Sequence, residues 1–377
     1  MQYRNFRKTE EKVSLLGFGT MRLPLLSDGS KKIDEALAIK MIRKAIDAGV
    51  NYMDTAYMYH GGNSEVVLGK ALKDGYREKV YLADKMPIWL TKEAGGIQAL
   101  FENQFKRLEV DFIDFYLVHS LDQKNWQKVK ELKVMPFLEK MKEEGRIGKI
   151  GFSFHDNLDV FKTIIDEYPW EFCQIQLNYM DSDYQAGVEG LKYAGKKGIP
   201  VIIMEPLKGG KITQSVPETI QAIWAKAPIQ RTPAEWALRY VADFPEVLSI
   251  LSGMSSMEQV QENIQTLSSA LPESLSLEEH KIIEMVAKEY HKLIKVACTG
   301  CEYCLPCPKN IMIPNAIDFY NQWYLYHAYV PIKRDYDINM LKGRRASDCI
   351  GCKSCEEKCP QHLPISSIMK ETAKIFD

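Results

Sequence analysis

Residues 1 to about 290 alternate short apolar runs with longer amphipathic stretches, and that alternation limits the fold more than any other feature. The apolar runs are Ser14–Gly19, Asn51–Thr55, Val80–Lys85, Asp111–His119, Ile150–Ser153, Phe172–Tyr179, Pro200–Pro206 and Leu248–Gly253. Between them apolar residues recur at helical spacing, as at Ile39, Ile42, Ala45 and Ile46, so each stretch offers one face for burial. Eight strands separated by helices imply a parallel sheet, because parallel neighbours need a crossover connection. At this length closure into a (β/α)8 TIM barrel, an α/β fold, is the first expectation. Chemistry in that architecture gathers at the C-terminal ends of the strands. The polar residues that end the runs are therefore the first candidates. They include Asp54, with Tyr59 five residues on, then Lys85 and His119.

The C-terminal quarter of the chain is of another kind. Eight of the nine cysteines lie there in two tight groups, each closed by Cys-Pro. The first is Cys298, Cys301, Cys304 and Cys307, followed by Pro308; the second is Cys349, Cys352, Cys355 and Cys359, followed by Pro360. Three thiols separated by two residues each can wrap one face of an iron–sulfur cubane. A fourth, carried off by the proline, ligates the other cluster in two-cluster ferredoxins. The spacing thus points to two 4Fe–4S clusters with crossed ligands. Cys298, Cys301, Cys304 and Cys359 would hold one; Cys349, Cys352, Cys355 and Cys307 would hold the other. Zinc and disulfides remain alternatives on spacing alone. Zinc usually takes paired thiols from two knuckles, so two sites would have to mix ligands here. Disulfides need an oxidising compartment, to which nothing in the chain points. The motif departs from the usual pattern at one place: only Leu305 and Pro306 separate Cys304 from Cys307.

The two cysteine groups form an internal repeat offset by 51 positions. The residues between them are rich in aromatics (Phe319, Tyr320, Trp323, Tyr324, Tyr326, Tyr329) and too many for a compact βαββαβ ferredoxin. A small, mainly helical ferredoxin-like domain is expected, with the aromatics packed around the clusters or lining an electron path or partner surface. The expected division is a barrel over 1–290 and an iron–sulfur domain over 291–377, bounded by a helix at Leu277–Leu293.

A chain of 377 residues with a formal charge of −1 gives no reason to expect nucleic acid or an anionic membrane as partner. The first residues have no apolar stretch behind them, so no signal peptide is expected. No run approaches the length of a membrane span. Eight thiols outside disulfides suit a reducing compartment, and a cytoplasmic location is expected.

The strand-end residues sit within a longer set of motifs. These are Gly17-Phe18-Gly19-Thr20-Met21, Asp54-Thr55-Ala56 with Tyr59, Ser64-Glu65 with Leu68-Gly69, Ala83-Asp84-Lys85, Tyr116-Leu117-Val118-His119, Ile147-Gly148-Lys149-Ile150-Gly151, and Glu262-Asn263. In order, spacing and placement they resemble the aldo-keto reductases over nearly all of the first 290 residues, and the fused cysteine module resembles the ferredoxin-bearing branch of that family. The resemblance implies a catalytic tetrad of Asp54, Tyr59, Lys85 and His119. A free phenol titrates near pH 10. The Lys85 ammonium is expected to lower Tyr59, with Asp54 holding the lysine charged. Tyr59 would then be the general acid in carbonyl reduction, and His119 would orient the carbonyl oxygen.

The resemblance also implies a nicotinamide cofactor, NADP(H) or NAD(H), and a small-molecule carbonyl substrate. The matching cofactor positions are Ser153 and Gln174 for the carboxamide, the Met204-Glu205-Pro206-Leu207 segment beside the ring, and Gly253, Gln259, Glu262 and Asn263 towards the adenine. Three departures stand out. Phe154 occupies a place where asparagine is usual, and Met204 one where an aromatic usually stacks. These two admit a flavin in place of nicotinamide. The loop Ser252–Gln259 lacks the cations that usually grip a 2′-phosphate, which removes the usual advantage of NADP(H). Lys208-Gly209-Gly210-Lys211 either approaches a pyrophosphate or is a plain turn. Cys173 reads as a small buried residue, and His155-Asp156 as a loop cap or a pocket wall.

Nicotinamide passes electrons in pairs and each cluster takes one, so the two modules need a bridge if they work together. One expectation is a carbonyl oxidoreductase whose clusters exchange electrons with a redox protein partner. Another is a reductase whose clusters are structural or redox-sensing. The third is an electron-transfer subunit whose barrel docks or regulates.

Overall fold

The computed structural model describes residues 1–377 except Lys8, Gly29, Lys31, Gln214, Ser215, His327 and Ala328, and except the side chains of Tyr326, Val330, Pro331, Arg334 and Ile338. Tyr326, one of the aromatics expected near the cysteines, thus has its side chain outside the described residues.

The chain opens with an antiparallel hairpin, β1 (Tyr3–Asn5) and β2 (Lys12–Ser14). Eight parallel strands follow: β3 (Leu16–Gly19), β4 (Tyr52–Asp54), β5 (Tyr81–Met86), β6 (Ile113–Leu121), β7 (Ile147–Phe154), β8 (Phe172–Gln176), β9 (Val201–Met204) and β10 (Val247–Ser252). They close into a barrel in chain order, with β10 pairing back to β3. The first apolar run is therefore split between the hairpin and the first barrel strand. Strands of three residues carry too little periodicity to announce themselves.

Side chains alternate across each strand. Phe115 and Leu117 of β6 fall in the inner cluster with Tyr52, Phe172, Ile202 and Leu248, and Phe6 and Val13 from the hairpin segment complete it. Phe6, Tyr52, Tyr81 and Phe172 each meet Phe115 edge-on, with centroids 5.6, 5.1, 5.7 and 5.0 Å away. Edge-to-face contacts of this kind suit the ring quadrupoles.

The outer core lies between strands and helices. The helix Glu35–Asp47 starts on the Asp34 cap and buries Ala38, Met41, Ile42, Ala45 and Ile46. Ile39, expected on that face, is only half-buried. Helical spacing allowed either row, and the alanine side gives the closer approach to the strands.

The chain forms two compact units. One is Met1–Leu207 with Arg231–Leu275, the barrel. The other is Lys208–Gln230 with Ser276–Asp377. The spatial division therefore differs from a single boundary at residue 290. The helix Leu277–Leu293, opened by a Ser276–Glu279 capping box, packs on the helix Glu218–Trp224 inside the second unit. Further helices there are Ile313–Tyr326, Tyr329–Asn339, Ser354–Glu357 and Ile365–Phe376, and its described residues hold no strand. Among the described residues no helix is long and apolar enough to cross a membrane.

Candidate active site and cysteine centres

Lys85 stands inward on β5, its side chain fully buried. Its Nζ donates to Asp54 Oδ1 at 2.6 Å and to the Thr55 carbonyl at 2.6 Å. It also lies 5.0 Å from the centroid of the Tyr59 ring. Three groups thereby share one ammonium. Burial raises the Asp54 carboxyl, and the Lys85 charge opposes that rise.

Tyr59 follows β4 on a tight turn, Tyr59–Gly62, whose residues His60, Gly61 and Gly62 have φ of 50°, 64° and 93°. Glycine suits this left-handed path. At Gly62 a Cβ would also stand 2.8 Å from Arg107 Nη1. The Tyr59 ring meets the His119 imidazole edge-on with centroids 6.3 Å apart, and Trp89 packs on the other side of His119 at 5.0 Å.

Burial pushes the Tyr59 hydroxyl well above its ordinary value; Asp54, Glu205 and Asp84 add to the rise and Arg22 opposes it. This corrects the expectation of a lowered phenol: burial and the surrounding carboxylates outweigh any lowering. Burial likewise drives His119 well below its ordinary value, helped by Lys85 and His155. The site therefore presents a protonated phenol and a neutral imidazole at neutral pH.

The main chain of Lys85 is held as firmly as its side chain. Its N–H donates to Asp84 Oδ1 at 2.8 Å, and its carbonyl accepts from Gln104 Nε2 at 2.9 Å. Asp84 faces outward beside Glu65, whose Oε2 accepts from Arg107 at 2.7 Å. Burial first, then the Glu65 charge, push the Asp84 carboxyl well up. Asp84 and Glu65 lie within motifs quoted from the sequence without a role, and nothing in the pattern marked Gln104 or Arg107. Arg22, Trp89 and Glu205 were also missed, although Arg22 directly follows the quoted Gly17–Met21 motif and Glu205 lies inside the Met204–Leu207 segment.

The expected cofactor positions fall on neighbouring elements. Ser153 (β7) and Gln174 (β8) are buried at the inner strand ends. Ser153 Oγ accepts from the Ser120 N–H at 2.8 Å, and Gln174 Nε2 lies 3.5 Å from Met204 Sδ. Gln174 Oε1 is buried without a hydrogen-bond partner, an acceptor suited to an amide N–H. Phe154 points outward into the helix layer, 5.1 Å from Phe161, so its departure from pattern does not alter the pocket. Leu207 likewise packs on the outer core. Pro206 between them is buried.

The helix Met257–Ser269 is capped by Ser256. Gln259 Oε1 accepts from the Ser255 N–H at 2.8 Å, Asn263 Nδ2 donates to Ser252 Oγ at 2.9 Å, and Glu262 Oε1 accepts from Thr232 at 2.5 Å. Gly253 lets the Arg22 stem approach, since a Cβ there would stand 3.2 Å from it.

In the second unit the cysteines fall into two sets. The surroundings of Cys304 contain Cys301, Cys298 and Cys359; burial first, then these thiols, push its own thiol up. A cavity is lined by Cys304, Cys307, Cys349, Cys352 and Cys355, with Pro306, Ile311, Ile313, Ile365 and Met369 also in its walls. Cys359 thus lies near Cys304, and Cys307 lines the same cavity as Cys349, Cys352 and Cys355. Among the described residues no three His, Cys, Asp or Glu side chains gather tightly enough for a single metal ion.

Residues 15–288 match the Aldo/keto reductase family, and residues 297–364 match a 4Fe-4S dicluster domain. The chain belongs to the aldo/keto reductase family. It is an oxidoreductase with a C-terminal 4Fe–4S domain. The L-galactose dehydrogenase of Arabidopsis thaliana is 28% identical over 308 residues, covering 76% of this chain and 94% of the relative. The NADH-specific methylglyoxal reductase of Escherichia coli is 29% identical, covering 69% of this chain and 91% of its own. Among solved structures, the holo form of an aldo-keto reductase from Bacillus halodurans matches with TM-score 0.63 and 26% identity, over 76% of this chain and 96% of that one. A Klebsiella pneumoniae aldo-keto reductase in complex with NADPH matches with TM-score 0.61 and 25% identity, over 76% and 96%.

Proposed function

We propose that the barrel reduces small carbonyl compounds with a nicotinamide cofactor, NADH in preference to NADPH, and that the second unit carries two 4Fe–4S clusters with crossed ligands. The observation that carries the first part is the buried Lys85 ammonium shared by Asp54 and the Thr55 carbonyl beneath the Tyr59 ring. When bound, the nicotinamide supplies hydride to the carbonyl carbon. Tyr59 donates the proton to the carbonyl oxygen. Its raised phenol keeps that proton in place at neutral pH. His119, neutral, offers an N–H to orient the same oxygen. Ser153 and Gln174 suit the carboxamide, with the unmatched Gln174 Oε1 as its acceptor.

The preference for NADH rests on the loop Ser252–Gln259, which offers a 2′-phosphate no Lys or Arg, and on the NADH-specific relative. When bound, the clusters supply one-electron transfer. The eight thiols suit the role of ligands in the two sets that surround Cys304 and line the second cavity.

The test is anaerobic NADH oxidation with a panel of short aldehydes and ketones. Tyr59→Phe should lower kcat by about 10²–10⁴-fold, the usual worth of a positioned acid, with cofactor binding unchanged. A Tyr59→Phe protein of undiminished turnover would overturn the assignment. An anaerobic visible spectrum with flavin peaks would replace the nicotinamide.

A further inference from the structure

The chain leaves β9 through Lys208-Gly209-Gly210-Lys211, the segment that sequence alone left as a turn or a pyrophosphate contact. Lys208, Gly209 and Gly210 take φ of 50°, 67° and 88° in succession. Three left-handed residues in a row turn the chain sharply, and the two glycines adopt that geometry without strain. The Lys211 N–H then donates back to the Lys208 carbonyl at 3.3 Å. The turn belongs to the second unit, the one that carries the cysteines.

Its outcome is the placement of one ammonium. Lys211 Nζ donates to the main-chain carbonyl of Cys298 at 2.9 Å. Its side chain is 29% exposed, and the carboxylate oxygen Oδ1 of Asp318 stands 3.9 Å away. Asp318 is itself drawn off by Gln322, whose Nε2 donates to Oδ2 at 2.6 Å. The Cys298 sulfur accepts from the Gly300 N–H at 3.4 Å. One thiol thus has a backbone donor on its sulfur and a shielded cation on its carbonyl.

We propose that Lys211 is a tuning residue for the cluster held by Cys298, Cys301, Cys304 and Cys359, raising its reduction potential. The inference rests on the iron–sulfur reading above. On reduction one electron enters from the reductant and the cluster becomes one unit more negative; no bond forms or breaks and no proton moves. A fixed positive charge stabilises the more negative state. Partial shielding from water keeps salt from screening it away. Asp318 acts in the opposite sense. The second cavity has its own lysines, Lys309 and Lys353, in its lining, and Lys211 is not among its lining residues, so the larger effect falls on the first cluster.

The experiment is an anaerobic dithionite titration of the full chain at controlled potential, read by electron paramagnetic resonance. Lys211→Gln should lower one of the two midpoints by an amount equal to a roughly tenfold fall in its reduction equilibrium, 59 mV for one electron. The other midpoint should move less. Lys211→Arg should restore the parent value. Asp318→Asn should move the same step upward, a sign that general loosening of the unit would not produce. Iron and sulfide contents equal to the parent's in every variant exclude loss of cluster as the cause. Unmoved midpoints in Lys211→Gln, or a downward shift in Asp318→Asn, would overturn the proposal. A parent protein without iron would overturn the iron–sulfur reading beneath it.

Discussion

Lys85 carries its charge with no water around it, its side chain 0% exposed, against an Asp54 carboxylate that is 3% exposed. Removing one member of such a pair strands the other, which costs about 3–5 kcal/mol. Lys85→Met should therefore lower unfolding free energy by about that amount. The double variant Lys85→Met/Asp54→Asn should lose less than the sum of the singles, since it leaves no charge behind. Strictly additive losses in denaturant titrations would mean that the two groups do not couple. The shifts in Tyr59 and His119 also fix a pH dependence. Reduction needs the phenol protonated and the imidazole neutral. Tyr59 is raised above about 10 and His119 lowered below about 6.5, so neither changes state between those values. The kcat/KM of carbonyl reduction should be flat over that interval, and an apparent pKa near 7 to 8 would contradict the assignment. Asp54, Lys85 and His119 were legible as candidates because each lies at the end of an apolar run, and Tyr59 through its spacing from Asp54. Arg22, Trp89 and Glu205 were not. Arg22 and Trp89 lie on single-turn 3-10 helices and Glu205 in the loop after β9, where no period tells which way a side chain points.

Elements show why some departures from pattern proved harmless. Phe154 follows Ser153, but a strand sends neighbours to opposite faces, so Phe154 packs on Phe161 while Ser153 faces the pocket. Which of the two faces inward needed the register of β7 against β6 and β8, and a single run of apolar residues does not carry it. The helix faces were legible to within one row, as Ile39 against Ala38 illustrates. Gly69 marks a tighter demand. It lies on the helix Asn63–Ala71, where an added Cβ would stand 2.3 Å from the Leu108 carbonyl at the end of the helix Ala94–Leu108. Backbone cannot yield as a flexible side chain does. Gly69→Ala should part the two helices and cost about 1–3 kcal/mol, the usual range for overpacking. The same helices carry Glu65 and Arg107, whose ion pair is 2.7 Å long, so the variant should also weaken the support behind Lys85 and lower kcat. A melting temperature equal to the parent's would show that the contact relaxes freely.

At the scale of the whole chain the two units are held by different means. The barrel closes its own strand ladder and fills its interior with interlocked rings. The second unit has a smaller apolar core in which Cys304 and Cys359 are themselves buried members. Buried thiols become ligands only as thiolates, so on the iron–sulfur reading proposed above cluster binding and folding of this unit should be coupled. That the second unit also takes in Lys208–Gln230 was hidden from the sequence, because that stretch lies between two barrel elements in the chain and its partners lie far along it. Both ends of the stretch return to barrel elements, at β9 and at the helix Pro233–Ala242. Melting the second unit would thus free a loop without opening the strand ladder. Calorimetry of loaded protein should show two transitions. Treatment with ferricyanide and a chelator should abolish the one that belongs to residues 208–230 and 276–377, while the barrel transition keeps most of its enthalpy. If stripping iron instead removes both transitions, the barrel depends on the clusters for its own stability, and independent unfolding of the two units is excluded.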